Sequence, residues 1–243
     1  MKNNPRMRSG FTLVELLVVI SIIATLAGVG VPVIINQQKK GARAEAISNI
    51  KQIGMAMFSF DQDYNGYPSK ASSADVHTNN PDSTTTLSTT PTTSNDFFVQ
   101  LIVGGYIDGE KQFYAKSTYT KKADGVITST KALDAGECGF SYVMGKGDDP
   151  LSSSGNSGQA LLLAAAYRDS GGAVSSTGAC ELDVYDKKAI VFRIDNSATA
   201  ESIRPSDKMV LIGGGKTLLQ GADQDSVWGA TLTPTLKVPL PKK

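Results

Sequence analysis

Few residues of this 243-residue chain combine the type and spacing that chemistry requires. Asp61-Gln62-Asp63-Tyr64-Asn65-Gly66 reads D-x-D-x-N-G, the opening half of a calcium loop, and makes Asp61, Asp63 and Asn65 candidate ligands. The position where a bidentate Glu belongs is Ser72, and Pro68 interrupts the middle. An Asx-rich turn accounts for the same letters without metal. Gly213-Gly214-Gly215-Lys216-Thr217 has the tail of a phosphate-binding loop, but the motif's first glycine would fall at Val210. A glycine-rich turn after a strand is the better reading. His77 is the only histidine and lies in a Ser/Thr-rich stretch, with nothing beside it to build a Ser-His-Asp relay. No G-x-S-x-G occurs. The expectation is therefore no enzyme and no cofactor, with calcium as the one open question.

One further polar residue stands out by its surroundings. The run Phe11 to Ile35 is apolar apart from Glu15, its only charge. About 25 residues at about 1.5 Å each give roughly 37 Å of helix, enough to cross a hydrocarbon core of about 30 Å. A carboxylate in such a run costs about 2.5–3.5 kcal/mol near the bilayer centre, so its presence calls for a reason. The run is too long for a cleavable secretory signal, and no A-x-A-like site follows it closely. Lys2, Arg6 and Arg8 precede it, while Lys39, Lys40 and Arg43 follow, so flanking charge alone does not set its orientation.

The elements that would position these residues follow from periodicity. Ala42, Ala46, Ile50, Ile53, Met57 and Phe60 recur at spacings of three and four, with Lys39, Lys40, Lys51, Gln52 and Ser59 away from that stripe. This predicts one long helix from about Thr12 to Asp63. A break near Pro32, where Gly28 and Gly30 also weaken the helix, is the alternative. Asn65-Gly66-Tyr67-Pro68 ends it. Residues 67–96 are Ser/Thr-rich and read as an exposed loop. A short helix over about Asn95–Gly104 follows, with Ser94 as its cap. Strand-like runs lie at Gln112–Ala115, Gly139–Met144, Ala160–Tyr167, Ala189–Ile194 and Lys208–Ile212. The proline-bearing tail Thr231–Lys243 reads as an extended wrap. The fold class is α+β, a long helix on a small, mostly antiparallel sheet. With 24 Lys/Arg against 23 Asp/Glu, no nucleic-acid surface is indicated.

A basic leader ending in Gly10, with Phe11 directly after it and Glu15 on the fifth residue counted from that Phe, resembles the signal of type IV pilins and type II secretion pseudopilins. The resemblance covers roughly Ser9 to Pro68. It implies cleavage between Gly10 and Phe11 by a prepilin peptidase and methylation of the new amine of Phe11. It also implies a division into leader (1–10), membrane and filament-core helix (11–35), soluble helix (36–66), Ser/Thr-rich loop (67–96) and pilin-like head (97–243). Glu15 would neutralise the Phe11 amine of a neighbour, and Pro32 sits where many pilins carry a proline. The implied partners are copies of this chain or other pilins, the peptidase, an inner-membrane assembly platform and the membrane itself. The precursor would span the bacterial inner membrane once with its amino terminus in the cytoplasm, then enter a periplasmic or cell-surface filament.

On the far side of the membrane, Cys138 and Cys180 are expected to pair, closing a loop worth about 4 kcal/mol, with two buried thiols as the alternative. Some pseudopilin heads hold calcium, and Glu181, Asp183 and Asp186, or Asp148 and Asp149, are further candidates. Two other functions stay open. One is a pilin-anchored, adhesin-like binding protein that does not polymerise; the other is an anchored enzyme with a divergent site.

Overall fold

The computed structural model describes residues 11–128, 130–212, 215–221 and 226–242. The chain divides into two compact units at Lys39/Lys40. Residues 1–10, with the expected cleavage residue Gly10, lie outside the described residues, as do the side chain of Pro32 and the Gly213-Gly214 pair. Helix α1 (Leu13–Tyr64) is a single α-helix close to the expected span, without the alternative break near Pro32.

In the second unit the apolar stripe of α1 does what its spacing predicts. Ala46, Ile50, Ile53, Met57 and Phe60 are fully buried, whereas Lys51, Gln52 and Ser59 are exposed. Each large side chain of this set contributes about 1.5–3 kcal/mol by leaving water. Gly54 allows the closest approach: a Cβ there would stand 2.0 Å from Cζ of Phe192. The helix stops at Asn65, whose φ of +54° is the left-handed cap that Asn tolerates better than most residues. The turn after it is tied down at both sides. The Tyr67 N–H donates to Leu151 O (3.0 Å), and the Tyr142 hydroxyl donates to Pro68 O (3.0 Å).

The Ser/Thr-rich segment is more structured than its composition suggests. It carries α2 (Lys70–Asn79), opened by a capping box in which Ser69 Oγ accepts from the Ser72 N–H and Ser72 Oγ accepts from the Ser69 N–H. Val76 and Thr85 are buried. Helix α3 (Ser94–Val103) begins one residue before the expected span, because Thr93, not Ser94, caps it in a second box with Asp96. Its Phe97 and Phe98 pack on Tyr142 with ring centroids 5.7 Å apart, and Phe98 stacks on Phe113 at 5.5 Å.

The main sheet is antiparallel throughout, in the order β4-β3-β2-β1-β7, from β1 (Phe140–Met144), β2 (Ala160–Ala164), β3 (Lys188–Arg193), β4 (Ala198–Ser202) and β7 (Thr235–Lys237). Every residue of β1 and β2 is buried, so both faces of the central strands are covered, which explains their continuous apolar runs. A small second pair joins β5 (Leu211–Ile212) to β6 (Lys216–Thr217).

Four expectations about extended chain need correction. The run Lys208–Ile212 keeps only Leu211–Ile212 as a strand, since Lys208 turns to a φ of +62°. Gln112–Ala115 is not a strand, since Lys111–Phe113 forms a 3-10 turn. Ala160–Tyr167 ends as a strand at Ala164 because Ala165 turns to a φ of +70°. The tail is not only a wrap: Leu236 pairs with Val143, making β7 an edge strand flanked by Pro234 and Pro239. Edge positions tolerate proline because the outward N–H needs no partner in the ladder.

Candidate functional site

Among the described residues, the first unit presents an exposed apolar surface. Leu13, Leu16, Leu17, Ile20, Ile23 and Leu26 are all more than half exposed. Its hydroxyls are satisfied internally, as Ser21 Oγ donates to Leu17 O and Thr25 Oγ1 to Ser21 O, both at 2.8 Å. Polar side chains bonded back to their own helix can sit in an apolar environment. Among the described residues, α1 is the one helix long and apolar enough to cross a membrane, by length and composition.

Glu15 caps this helix. Its Oε2 accepts from the Thr12 N–H (2.9 Å) and from Thr12 Oγ1 (2.7 Å), while its own N–H donates to Thr12 Oγ1 (3.2 Å). This is a T-x-x-E capping box, whose signal is present in the sequence as Thr12 and Glu15 three residues apart. The single acid of the apolar run therefore lies in the first turn, where a carboxylate also opposes the helix dipole favourably. Phe11 precedes the box and is four-fifths exposed.

The D-x-D-x-N-G candidates do not converge. Asp61 and Asp63 are two apart on a helix and face different neighbours: Asp61 Oδ2 accepts from the Ser153 N–H (3.2 Å) and Ser153 hydroxyl, and Asp63 Oδ2 accepts from the Tyr106 hydroxyl. Asn65 is the helix cap. The letters describe a helix end, and no half EF-hand forms. The other acidic candidates are dispersed as well. Glu181 accepts from Thr118, and Asp148 pairs with Lys237 at 2.6 Å.

The carboxylates that do meet are three that sequence reading missed, since they lie far apart in the chain. Ligand oxygens of Glu110, Asp124 and Glu137 come within 4.8 Å of one another, the one such trio among the described residues. Glu110 accepts from the Gly125 (2.9 Å) and Leu133 (3.1 Å) N–H groups, and Glu137 accepts from those of Asp124 (3.3 Å) and Asp134 (2.8 Å). The two buried acids thus clasp both ends of one loop, with Lys121 3.3 Å from Glu137. Burial pushes the Glu110 carboxyl above its ordinary range, and the Glu137 charge adds to the rise, although the two N–H donors oppose it. An all-oxygen set of this kind suits a hard cation. Its evident task is to close the loop.

The expected disulfide is absent. Cys138 and Cys180 are both free and buried. Cys138 Sγ donates to Phe140 O (3.3 Å) and lies beside Ser94 Oγ, whereas Cys180 Sγ donates to Gly178 O (3.6 Å), in a segment bridged to Ala166. The two thiols are held by different neighbours, and desolvation pushes each up to about 12, the range of an unreactive thiol.

Residues 5–31 match the family described as the prokaryotic N-terminal methylation motif. The chain is 36% identical over 76 residues to the type II secretion system core protein G of Aeromonas hydrophila, covering 31% of this chain and 53% of that one. It is 41% identical over 64 residues to the type IV major pilin protein PilA of Myxococcus xanthus, covering 26% and 29%. A second core protein G, from Pectobacterium carotovorum, is 40% identical over 60 residues, or 25% and 38%. The chain thus spans about half or less of the curated relatives it matches. No solved structure matches it.

Proposed function

We infer that this chain, which belongs through its amino-terminal quarter to the pilin and pseudopilin family, is a structural subunit of a type IV pilus or type II secretion pseudopilus filament. One contrast carries the reading. The segment with the methylation motif leaves its apolar surface uncovered, while the rest of the chain completes a core of its own. A prepilin peptidase cuts between Gly10 and Phe11, and the new Phe11 amine is methylated. The helix holds the precursor in the inner membrane and then exchanges lipid for the helices of neighbouring subunits, driven by an assembly platform supplied by other chains. Glu15 of one subunit neutralises the Phe11 amine of the next. Such a buried pair adds little net stability but penalises wrong registers. Pro32, which withholds a backbone N–H from α1, is where the helix yields on packing.

The test is intact-mass analysis with electron microscopy of filaments sheared from the native cells. The chain should be present in them and begin at N-methylated Phe11. Its confinement to the membrane would sink filament membership, and an intact leader would sink the pilin reading. Glu15→Gln separates the two roles of Glu15, because Gln preserves a capping box and removes the charge. Filament yield should fall several-fold with cleavage unchanged. An unchanged yield would leave Glu15 as a helix cap only.

A further inference from the structure

The Ser/Thr-rich segment has a place in the fold that filament assembly does not explain. With α2 it lines an open groove of about 600 Å3, the most spacious of the head's principal cavities and within the range of about 300–1,000 Å3 typical of small-molecule sites. Lys70, Ala74 and His77 recur on α2 at spacings of four and three, the spacing of a stripe that ordinarily faces a core. Here that stripe faces the cavity and is mostly polar. The opposite wall is extended chain, in which Thr85 turns inward and is buried while Thr84 and Thr86 remain exposed, so alternate hydroxyls reach the opening. Among the described residues, the side chains of Lys70, His77, Thr84, Thr86 and Thr89 form no hydrogen bond or ion pair with the protein. No carboxylate lines the space.

These features select a ligand by chemistry. An uncommitted ammonium with no neighbouring carboxylate in the lining favours an anion. Hydroxyls that each donate and accept, spread around the cavity, match a ligand that is itself rich in hydroxyls. The volume exceeds what a bare inorganic anion fills, and Ala74, Leu87 and the threonine methyls offer apolar contact for the C–H faces of a sugar ring. We propose that this cavity binds an acidic saccharide, with Lys70 on its carboxylate and His77 and the threonines on its hydroxyls. The site lies in the head and does not depend on whether the chain polymerises.

Isothermal titration of the full chain in a polyoxyethylene detergent tests this, with trigalacturonate as probe and maltotriose and acetate as comparisons. Trigalacturonate should bind, maltotriose should bind at least tenfold more weakly, and acetate should give no saturable heat. Lys70→Ala should weaken trigalacturonate about tenfold, the loss expected of one charge-assisted contact. Thr84→Val with Thr86→Val should weaken it by a smaller factor without altering the unfolding midpoint. Absence of trigalacturonate binding, or binding untouched by Lys70→Ala, would overturn the site. Equal binding of maltotriose would overturn its acidic preference, and equal binding of acetate would overturn the saccharide.

Discussion

Residues 11–39 and residues 40–243 use apolar side chains in opposite ways. In the first unit Leu13 is 80% exposed and Leu26 69%; in the second, Phe60, Phe98 and Phe113 are fully buried. Within α1 itself, the apolar residues of the first unit run round the whole circumference, whereas Ala46, Ile50, Ile53, Met57 and Phe60 form a single stripe. A helix apolar all round needs an apolar environment from outside the chain, whereas a striped helix needs only one layer to lie against. The second unit supplies that layer in its own sheet. The lesson is that the second unit meets its hydrophobic demand within itself, while the first leaves its apolar side chains exposed.

Substitutions can break or sharpen that contrast. The largest effect is expected at Phe98, which joins α3 to Tyr142 and Phe113: Phe98→Ala should cost about 3–5 kcal/mol of unfolding free energy in urea titration of the full chain in detergent. A loss under 1 kcal/mol would mean that the second unit's core is not the jigsaw its burial implies. Gly54→Ala comes next. Its new methyl would have to displace the Phe192 ring, for about 1–3 kcal/mol, and thermal unfolding should report a lowered midpoint.

A subtler effect concerns pH within the second unit. The Glu110 carboxyl is raised on folding, so its contribution is complete below its unfolded value near 4.5 and is lost as pH rises through its folded value. Glu201 behaves oppositely. Burial acts to raise it, but hydrogen bonds from Arg193 and Thr199 and the Arg193 charge outweigh burial and lower it. Its contribution is therefore present above 4.5 and lost as pH falls through its folded value. Relative to wild type, Glu110→Gln should lose less stability at pH 7 than at pH 4.5, measured by denaturant titration at both. A deficit that grows with pH would contradict the assigned burial.

The smallest effect belongs to the first unit. Leu17→Ala, at a half-exposed position, should change unfolding of the head by no more than about 0.5 kcal/mol while reducing filament yield. A destabilised head would erase the distinction between the units.

Local features were the legible ones. The stripe Ala46–Phe60, the stop at Asn65 and the strands around Tyr142, Leu162 and Val191 all rest on short-range periodicity or turn chemistry, and the structure shows each within a few residues of its expected place. The T-x-x-E box at Thr12 is equally readable from its spacing. Edge strands β4 and β7 were harder, because the alternation in Ala198–Ser202 rests only on two small alanines and prolines flank Thr235–Lys237. The Ser/Thr-rich segment misled in the other direction. Its composition argues for solvent, but two capping boxes and the burial of Val76 give it a shape.

By itself the amino-acid sequence determined the apolar amino-terminal run, the methylation motif, the buried stripe of the long helix and the antiparallel character of the sheet. Each follows from neighbours along the chain, within a helical turn or a strand's alternation. Only the tertiary structure decided that Cys138 and Cys180 stay apart, that Glu110 and Glu137 share one loop, and that Lys70 and His77 face a cavity. Those are meetings, or failures to meet, between residues distant in sequence. The packing of α3, the loops and the sheet sets their separation, and no spacing along the chain encodes it.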